Sequence, residues 1–489
     1  MKGARPKQLP FVFADSPRGS KGASASDESE ARAFLLHIAK GTSETDLAVS
    51  ESNTGELMER IVSDSNLATA LLNVARNKGA PGVDGCSVTE VVEAAPRLLR
   101  KLHRALLDGS YQPGDIRRVW IAKPGGGQRG LGIPNVIDRW VQQAVLQVLE
   151  PIFEPSFHGS SHGFRPNRGA HTAIAEAKRY LETGDKWVVD IDLAKFFDRV
   201  NHQRLLDCLR QSITDTRLVA LIKRMLKAKV VLPDGTRVTT EEGTPQGGPL
   251  SPLLSNIVLN ELDWELERRG LHFVRYADDC NIFVRSERAG QRVMASTRRF
   301  IEVRLRLEVN QEKSAVAQPD QRHFLGFRMC RSEGGGVEIH ISRRTKERLD
   351  QQIRALTPAT WGRSLAACFE ELNLYLRGWS AYYRICTEEG ANGFPRFDAH
   401  VRRRVRRIII HQKKRARHLF RHLLARGVSR EAAAGTAYSR RGAWHRSNRP
   451  GMTRAYPNQW FVDKLVSLKA EWLRHNPPEL ASGQILLFG

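Results

Sequence analysis

The chain has 489 residues, of which 41% are hydrophobic, enough to bury at least one substantial core in roughly two to four domains. Lysine and arginine number 77 against 53 acidic residues, which gives a formal net charge of +24. This excess favours a polyanionic partner, nucleic acid before an anionic membrane. Because no apolar run approaches the roughly 18 residues of a membrane-spanning helix, we expect no membrane partner and a cytoplasmic, nucleoid-associated protein.

The six cysteines lie far apart and include no C-x-x-C pair. Zinc modules and secreted disulfide frameworks both need closely spaced cysteines. The sequence therefore predicts reduced, mostly structural thiols.

The first segment of the chain, residues 1–57, is rich in small and polar residues, and we expect it to be disordered. The next segment, residues 58–103, begins with apolar residues at three- and four-residue spacing from Met58 to Asn77, which predicts a helix. A turn with glycine and proline, Lys78–Gly85, ends that helix.

Residues 104–340 alternate short β-prone runs with longer amphipathic helices, which predicts an α+β domain around an antiparallel sheet. The expected strands are 119–121, 187–192, 273–276 and 282–284, and the expected helices include 137–153 and 253–268. Residues 341–426 predict three helices, over 343–356, 362–385 and 397–424. The last segment, 427–489, is basic and carries several aromatic residues.

Two adjacent acids, Asp278 and Asp279, lie between the β-prone arms of the run 274–284. For an arbitrary Asp-Asp pair, an exposed hairpin turn is the simpler interpretation. A second acidic element makes a metal site the better hypothesis, because the apolar strand 187–191 leads directly into Asp192. Asp190 and Asp192 share one face of that strand, and either carboxylate could join the hairpin to hold two Mg²⁺ ions.

The order of several sequence elements resembles bacterial group II intron-encoded reverse transcriptases. The shared elements are Asn77–Gly85, Lys123–Pro134, Gly163-Phe-Arg-Pro166, Gly243–Pro252, Tyr276-Ala-Asp-Asp279 and Phe324-Leu-Gly-Phe327. The resemblance covers nearly everything from residue 58 onward. It implies a right-hand polymerase fold with an N-terminal extension (58–103), fingers and palm (104–340), a helical thumb or maturase (X) region (341–426) and a basic DNA-binding region (427–489).

The resemblance also assigns the metal ligands. The family's metal aspartate lies five residues before an aromatic residue, which matches Asp192 and Phe197. It implies that Asp192, Asp278 and Asp279 are catalytic and bind two Mg²⁺ ions, with the carbonyl oxygen of Leu193 completing the shell. Asp190 is then a structural acid.

Residues around the incoming nucleotide are implied in the same way. Lys123 and Arg129 flank a glycine-rich turn and would contact the phosphates, although such a turn alone is usually only exposed. Phe197 would abut the sugar and exclude a 2′-hydroxyl, and Gln246 would lie against the nascent base pair. Lys313 would act near the leaving pyrophosphate, with a solvated lysine as the alternative.

Nucleic-acid contacts are expected mainly in the C-terminal third. Residues 401–450 contain sixteen lysines and arginines and a single acid, Glu431. A solvated helix face is the plainer interpretation, but the scarcity of acids favours phosphate binding. The expected nucleic-acid-binding residues are Arg402, Arg403, Arg406, Lys413, Lys414 and Trp444, together with Arg165, for which contact with a neighbouring acid is the alternative.

The family implies an RNA-directed DNA polymerase that also acts as a maturase, promotes splicing and supports retrohoming by target-primed reverse transcription. The implied partners are group II intron RNA, an RNA template with a DNA primer, target DNA and deoxynucleoside triphosphates. The region 372–384 resembles the family's maturase signature, and no paired cysteines and histidines follow, so we expect no endonuclease domain. The alternatives are a splicing factor without polymerase activity and a reverse transcriptase recruited to a host process.

Overall fold

The computed structural model describes residues 25–40, 55–122, 127–244 and 247–477. Its contacts divide the chain into two compact units. The first contains residues up to Ala173 together with Val188–Val316, and the second contains Ile174–Trp187 and residues from Ala317 onward. Within the described ranges, no helix is both long enough and apolar enough to cross a membrane.

In chain order up to Ala317, the helices are α1 (Ala25–Lys40), α2 (Leu57–Val62), α3 (Asp64–Arg76), α4 (Val88–Glu93), α5 (Ala95–Leu107), α6 (Val136–Phe153), α7 (Ala170–Glu182), α8 (Phe196–Arg199), α9 (His202–Arg210), α10 (Thr216–Leu226), α11 (Ser251–Arg268) and α12 (Glu287–Arg299). The strands are β1 (Ile116–Ala122), β2 (Gln128–Ile133), β3 (Trp187–Ile191), β4 (Val230–Val231), β5 (Arg237–Val238), β6 (His272–Tyr276), β7 (Asp279–Val284) and β8 (Ala315–Ala317). A π-helical turn, Phe300–Leu305, follows α12.

These strands form two four-stranded sheets. One sheet has the order β2-β1-β4-β5, in which β1 pairs antiparallel with β2 and parallel with β4. The other has the order β6-β7-β3-β8, and its β6–β7 hairpin is antiparallel. The mixed helix-and-sheet prediction is confirmed, although the β1–β4 pairing shows that the strands are not all antiparallel.

The predicted helix from Met58 to Asn77 is two helices. Ser63 lies between α2 and α3 with φ −53° and ψ 140°, and its side chain accepts a hydrogen bond from the amide of Asn66. A serine in this role begins a new helix because it satisfies an amide that has no helical partner. The apolar spacing continues across the break, so the pattern alone did not reveal it.

Part of the predicted disordered segment is a helix, α1. It packs against α3 and buries Leu35 completely. The prediction was wrong for residues 25–40 because one buried apolar face is enough to hold a mostly polar helix. Residues 1–24 and 41–54 of the same segment lie outside the described residues.

The turn at Lys78–Gly85 is held by α6. Asn135 accepts hydrogen bonds from the amides of Val83 and Asp84, and Arg139 donates to the carbonyl of Ala80 at 2.7 Å. Trp140 of the same helix is fully buried. The turn therefore belongs to the packed body of the first unit.

In the second unit, a hairpin precedes a series of helices. The strands are β9 (Phe327–Arg331) and β10 (Val337–Ile341), and the helices are α13 (Arg343–Leu356), α14 (Leu365–Tyr383), α15 (Glu388–Ala391), α16 (Phe394–Gln412), α17 (Ala416–Ala425), α18 (Arg430–Ala437), α19 (Ala443–Arg446), α20 (Pro450–Ala455), α21 (Asn458–Val462) and α22 (Leu468–His475). Phe327 is fully buried and its ring lies against those of Tyr382 and Tyr383.

One sequence prediction differs from the structure in this unit. The helix expected over 397–424 is interrupted between α16 and α17, where Lys414 adopts φ 53°. A non-glycine residue with this backbone cannot continue a right-handed helix. The hairpin β9–β10 belongs to the same compact unit as the helices that follow it. The predicted domain boundary at 341 stays a prediction.

Candidate nucleotidyl-transfer site

The acidic pair lies at the tip of the β6–β7 hairpin. Tyr276 pairs with Asp279, which leaves Ala277 and Asp278 as the two turn residues. Ala277 has φ 57°, as required at the first turn position of a tight hairpin. This short turn projects Asp278 at the end of the sheet and places Asp279 at the first position of the returning strand.

A buried arginine, Arg275, fixes the shape of the tip. Its guanidinium donates to the carbonyl oxygen of Ala277 at 2.9 Å, and it forms a two-bond ion pair with Asp263 at 2.6 and 2.7 Å. It also donates to Asn256 and Ser161. The Arg275 and Asp263 side chains are 1% and 0% exposed, so the pair is fully enclosed.

The opposite side of the turn is packed against Gly163. A Cβ atom at this glycine would lie 2.3 Å from the amide nitrogen of Ala277, closer than any real contact. The carbonyl of Gly163 accepts a hydrogen bond from Asn256, which also bonds Arg275. Glycine is therefore required for the backbone of this loop to approach the turn.

Sequence reasoning gave no positioning role to Arg275, Asp263 or Asn256. The available signal was weak: a charged residue inside an apolar strand, and two polar residues seven positions apart on one face of α11. Only the structure shows that these side chains meet under the hairpin.

Asp192 lies just after the end of β3 and is anchored through its backbone. Its amide donates to the Ser314 hydroxyl at 3.0 Å, and its carbonyl accepts from the amide of Asn310 at 2.8 Å. The next residue, Leu193, forms a bridge with Val309 whose hydrogen bonds are made by the flanking residues. The Leu193 carbonyl is not used in that bridge, which is compatible with its predicted role as a metal ligand.

The carboxylates lie close enough for their charges to affect one another. Loss of hydration around its carboxyl group is the main cause that raises the pKa of Asp279 to about 7, and the charge of Asp278 is the second cause. The residue as a whole is nevertheless exposed. Asp190 and Asp192 add to this shift. The pKa of Asp278 is also raised, by burial first and then by the charge of Asp192.

The carboxylates do not form a complete set of metal ligands. In the part of the chain that the structure describes, no group of three or more histidine, cysteine, aspartate or glutamate side chains is arranged to hold a metal ion. Mg²⁺ usually takes one or two protein carboxylates and completes its shell with phosphates and water. The carboxylate oxygens near the hairpin tip therefore suit Mg²⁺ in their chemistry, and the metal assignment stays a prediction.

Two cations accompany the acids. The Lys313 ammonium lies 3.7 Å from an Asp192 carboxylate oxygen, and its charge lowers the pKa of Asp279. The charge of Arg129, on β2, opposes the rise in the pKa of Asp278. Acids and cations together form a site of mixed charge, as expected where a phosphate group and a divalent ion must both bind.

Phe197 lies on α8 and is 8% exposed. The carbonyl of Phe197 accepts a hydrogen bond from the amide of Thr244, and Gly243 with φ 94° packs against the same backbone. A Cβ at Gly247 would lie 2.4 Å from the carbonyl oxygen of Gly132. Gly243 and Gly247 are therefore required because backbone segments approach one another closely at both positions.

Three further residues were predicted to contact the nucleotide or the template: Lys123, Gln246 and Arg165. Lys123 and Gln246 lie outside the described residues, so their roles stay predictions. Arg165 is buried and forms an ion pair with Glu154 at 2.8 Å, with further bonds to the carbonyls of His158 and Ser161. The neighbouring-acid alternative is therefore the correct one, because a guanidinium with these partners has no face left for template.

The basic run on α16 contains both exposed and buried arginines. Arg406 is 6% exposed and donates twice to the carbonyl of Tyr456, at 2.6 and 3.0 Å, and burial lowers its pKa to about 10. Arg404 is buried in the same way against the carbonyls of Arg354 and Thr357, at the end of α13. The expectation that Arg406 binds nucleic acid was wrong, since its guanidinium is satisfied inside the protein.

The other predicted residues of this region remain accessible. Arg402, on α16, is partly exposed. In the break between α16 and α17, Lys413 is partly exposed and Lys414 is exposed. The guanidinium carbon of Arg403 lies 3.9 Å from the centre of the Trp444 ring, and Trp444 is 36% exposed. A cation stacked on an accessible indole is suited to contact both a phosphate and a base.

Two family models match parts of this chain. Residues 121–329 match the family "Reverse transcriptase (RNA-dependent DNA polymerase)", and residues 346–427 match "Group II intron, maturase-specific domain". Protein YkfC of Escherichia coli is 34% identical over 347 residues, which cover 62% of this chain and 91% of YkfC. Group II intron-encoded protein LtrA of Lactococcus lactis is 30% identical over 355 residues, covering 59% of each chain.

A further relative is the putative COX1/OXI3 intron 1 protein of Saccharomyces cerevisiae, 32% identical over 47% of this chain and 29% of its own length. The two family matches occur in one chain, and the acidic hairpin lies inside the first of them. The chain therefore belongs to the group II intron-encoded reverse transcriptase and maturase family.

Proposed function

We propose that this protein is an RNA-directed DNA polymerase encoded by a group II intron, and that it also binds the intron RNA, promotes splicing and supports retrohoming by target-primed reverse transcription. In this proposal the sheet β6-β7-β3-β8 is the palm of a right-hand polymerase, residues 341–426 are the thumb and maturase region, and 427–489 bind target DNA. The proposal is carried by the Asp278–Asp279 hairpin tip, whose carboxyl groups are affected by the charge of Asp192, itself 3.7 Å from the Lys313 ammonium.

Asp192, Asp278 and Asp279, with the Leu193 carbonyl, would hold two Mg²⁺ ions. When bound, these ions would activate the primer 3′-hydroxyl and stabilise the charge of the leaving oxygen. The raised pKa values of Asp278 and Asp279 reflect unfavourable ionisation of the two groups. A cation favours their ionised forms, so the site is electrostatically suited to bind one.

The remaining residues orient the substrates. The primer 3′-hydroxyl attacks the α-phosphate of the incoming nucleotide and pyrophosphate leaves. Arg129 and Lys123 would neutralise the triphosphate. The Lys313 ammonium, which pairs with Asp192 in the structure, would act near the leaving pyrophosphate. Phe197 restricts the space at the sugar, which favours deoxynucleotides, and Gln246 supports the new base pair.

The maturase role rests on the second unit. Its accessible cations Arg402, Arg403, Lys413 and Lys414 would contact phosphates of intron RNA or target DNA, and Trp444 would stack on a base. The contribution of these cations should depend on salt, because each phosphate contact releases counterions.

The polymerase site is tested with Asp278→Ala in primer extension on an RNA template. We expect loss of DNA synthesis with RNA affinity unchanged, since Asp278 carries negative charge and attracts no phosphate by itself. Asp234→Ala is a matched control, because Asp234 is an exposed turn aspartate in the same unit. DNA synthesis by the Asp278 variant would refute the site assignment.

The maturase role is tested by splicing of the RNA that flanks the reading frame, at low Mg²⁺, with and without protein. We expect the protein to stimulate splicing. Stimulation without primer extension by the wild-type protein would favour a splicing factor that lacks polymerase activity. Primer extension without stimulation would favour a reverse transcriptase recruited to a host process.

A further inference from the structure

Helix α12 packs on the palm sheet through a narrow stripe. Gly290 is buried, and a Cβ there would meet Val316 at 2.5 Å and both Val189 and Val284 at 3.5 Å. Thr297 is also fully buried. With 3.6 residues per turn, these two positions lie on the same side of the helix.

The opposite side of α12 carries arginines. At about 100° per residue, Arg288, Arg292 and Arg299 all lie within about 20° of the direction opposite Gly290. Each of the three is exposed. Arg285, just before the helix, and Arg298, on the flank of the helix, are exposed as well. We call Arg288, Arg292 and Arg299 the α12 arginine stripe.

The positive charges of the stripe are not paired with acidic side chains of the described residues. Among the described residues, none of its arginines forms an ion pair or a side-chain hydrogen bond, whereas nearby Arg268 and Arg269 pair with Glu265, and Arg304 with Glu261. The acids on the stripe's own elements are Glu287 at the helix start and Glu302 in the π-helical turn, and both are exposed. The surface is therefore strongly positive.

The arrangement costs helix stability. Arg288 and Arg292 are like charges four residues apart, and Arg288 lies in the first turn, where the helix dipole disfavours a cation. Because no ion pair or side-chain hydrogen bond among the described residues accounts for the stripe, its charge requires another explanation. An external polyanion supplies one.

The stripe lies on the far side of the sheet from the candidate catalytic aspartates. Successive side chains of β3 point to opposite faces, so Val189 faces α12 while Asp190 faces away from it. On β7, Val284 also faces α12, and Asp279, five positions earlier, faces the other side of the sheet. A primer–template bound at the carboxylates therefore cannot also contact the outer surface of α12.

We propose that the α12 arginine stripe binds the phosphate backbone of RNA at a second surface, separate from the polymerase cleft. This proposal rests on the proposed function, which supplies a long structured RNA that could contact the protein on both sides of the palm. Arginine is the residue best suited to phosphate recognition. The stripe is completed by Gln291 and Ala295, without the large apolar side chains that insert into membranes.

The test is the triple variant Arg288→Gln, Arg292→Gln, Arg299→Gln, since glutamine retains helix propensity and removes only charge. Its matched control is Arg32→Gln, Arg210→Gln, Arg237→Gln, which removes the same charge from side chains 41%, 48% and 53% exposed that already pair with acids. Both variants are measured for binding to the RNA that flanks the reading frame, as a function of salt. Both are also measured for extension of a primer–template of about 15 base pairs.

We expect the stripe variant to bind the long RNA about tenfold or more weakly, and the slope of log affinity against log salt to fall in magnitude by about two. Extension of the short duplex should not change, and the control should resemble wild type. Unchanged binding and salt slope in the stripe variant would overturn the proposal while leaving the polymerase intact.

Two other outcomes would also decide against it. An equal loss in the control variant would show that only net charge matters. Reduced binding to vesicles of anionic phospholipid, with RNA binding unaffected, would identify a membrane surface instead. Failure of the wild-type protein to extend the primer would count against the proposed function rather than against the stripe.

Discussion

The hairpin of the first unit and helix α16 of the second both concentrate charge, and they treat it differently. At the hairpin, neighbouring acids raise the pKa of Asp278 and of Asp279, and the Lys313 ammonium beside Asp192 belongs to a side chain that is 62% exposed. On α16, the buried Arg404 and Arg406 direct their guanidinium groups at backbone carbonyls of their own unit. Charge that the protein leaves poorly compensated indicates an external partner, and charge that it satisfies internally indicates structure.

The largest effect is expected at the support of the hairpin. Arg275→Met leaves Asp263 charged and enclosed, which should reduce the free energy of unfolding by about 3–5 kcal/mol. Urea unfolding measures this loss, and primer extension should also fall because the Ala277 carbonyl loses its donor. Arg268→Met, at an exposed ion pair, is the control and should change stability by less than about 1 kcal/mol. Equal stability of the two variants would contradict the positioning role of Arg275.

The second-largest effect is expected in the pH dependence of stability, from a buried acid outside the candidate site. Burial raises the pKa of Asp138 to about 6 from 3.8, although the Tyr111 hydroxyl donates to it. The folded protein then holds this proton more tightly than the unfolded chain, so the free energy of unfolding should decrease as pH rises from about 4 to about 6. The decrease attributable to Asp138 should be about 2–3 kcal/mol.

Asp138→Asn tests this expectation because it removes the titration and retains an acceptor for the Tyr111 hydroxyl. Its unfolding free energy, followed by urea denaturation between pH 4 and 7, should depend less on pH than that of the wild type. Parallel pH profiles would show that Asp138 keeps an ordinary pKa in the folded state.

The third effect concerns the position of the hairpin tip, where the Gly163 backbone packs closely against Ala277. Gly163→Ala places a Cβ against the Ala277 amide, so the turn must shift, at a cost of about 1–3 kcal/mol. Primer extension should fall more than RNA affinity does, which separates a misplaced tip from general unfolding. Gly169→Ala is a suitable control, since a Cβ there meets nothing within 4 Å. Full activity in the Gly163 variant would show that the tip tolerates displacement.

The smallest effects are expected on α16, where a buried arginine, Arg406, can be compared with a partly exposed one, Arg402. Arg406→Met should reduce the free energy of unfolding by about 1–3 kcal/mol, because the Tyr456 carbonyl loses its buried donor. Arg402→Met should leave stability unchanged and reduce the salt slope of nucleic-acid binding by about one. Unfolding curves and salt titrations of both variants measure the two quantities. A stability loss at Arg402, or a slope change at Arg406, would reverse the distinction between internal and external charge.

The sequence was sufficient for the features that depend on local pattern. The order of motifs identified the family, and the β-prone arms around an acidic pair predicted the hairpin that carries Asp278 and Asp279. These predictions succeeded because strand period, turn chemistry and motif spacing are properties of neighbouring residues.

Only the tertiary structure decided the partners of individual charges. Arg165 and Arg406 look like surface cations in the sequence, but one meets Glu154 and the other a carbonyl fifty residues away. The Arg275–Asp263 pair and the fit of Gly163 against Ala277 also join distant segments. Which side of α12 faces solvent depends on how the helix packs on the sheet. Burial and ion pairing depend on which segments meet in space, and one-dimensional spacing does not contain that information.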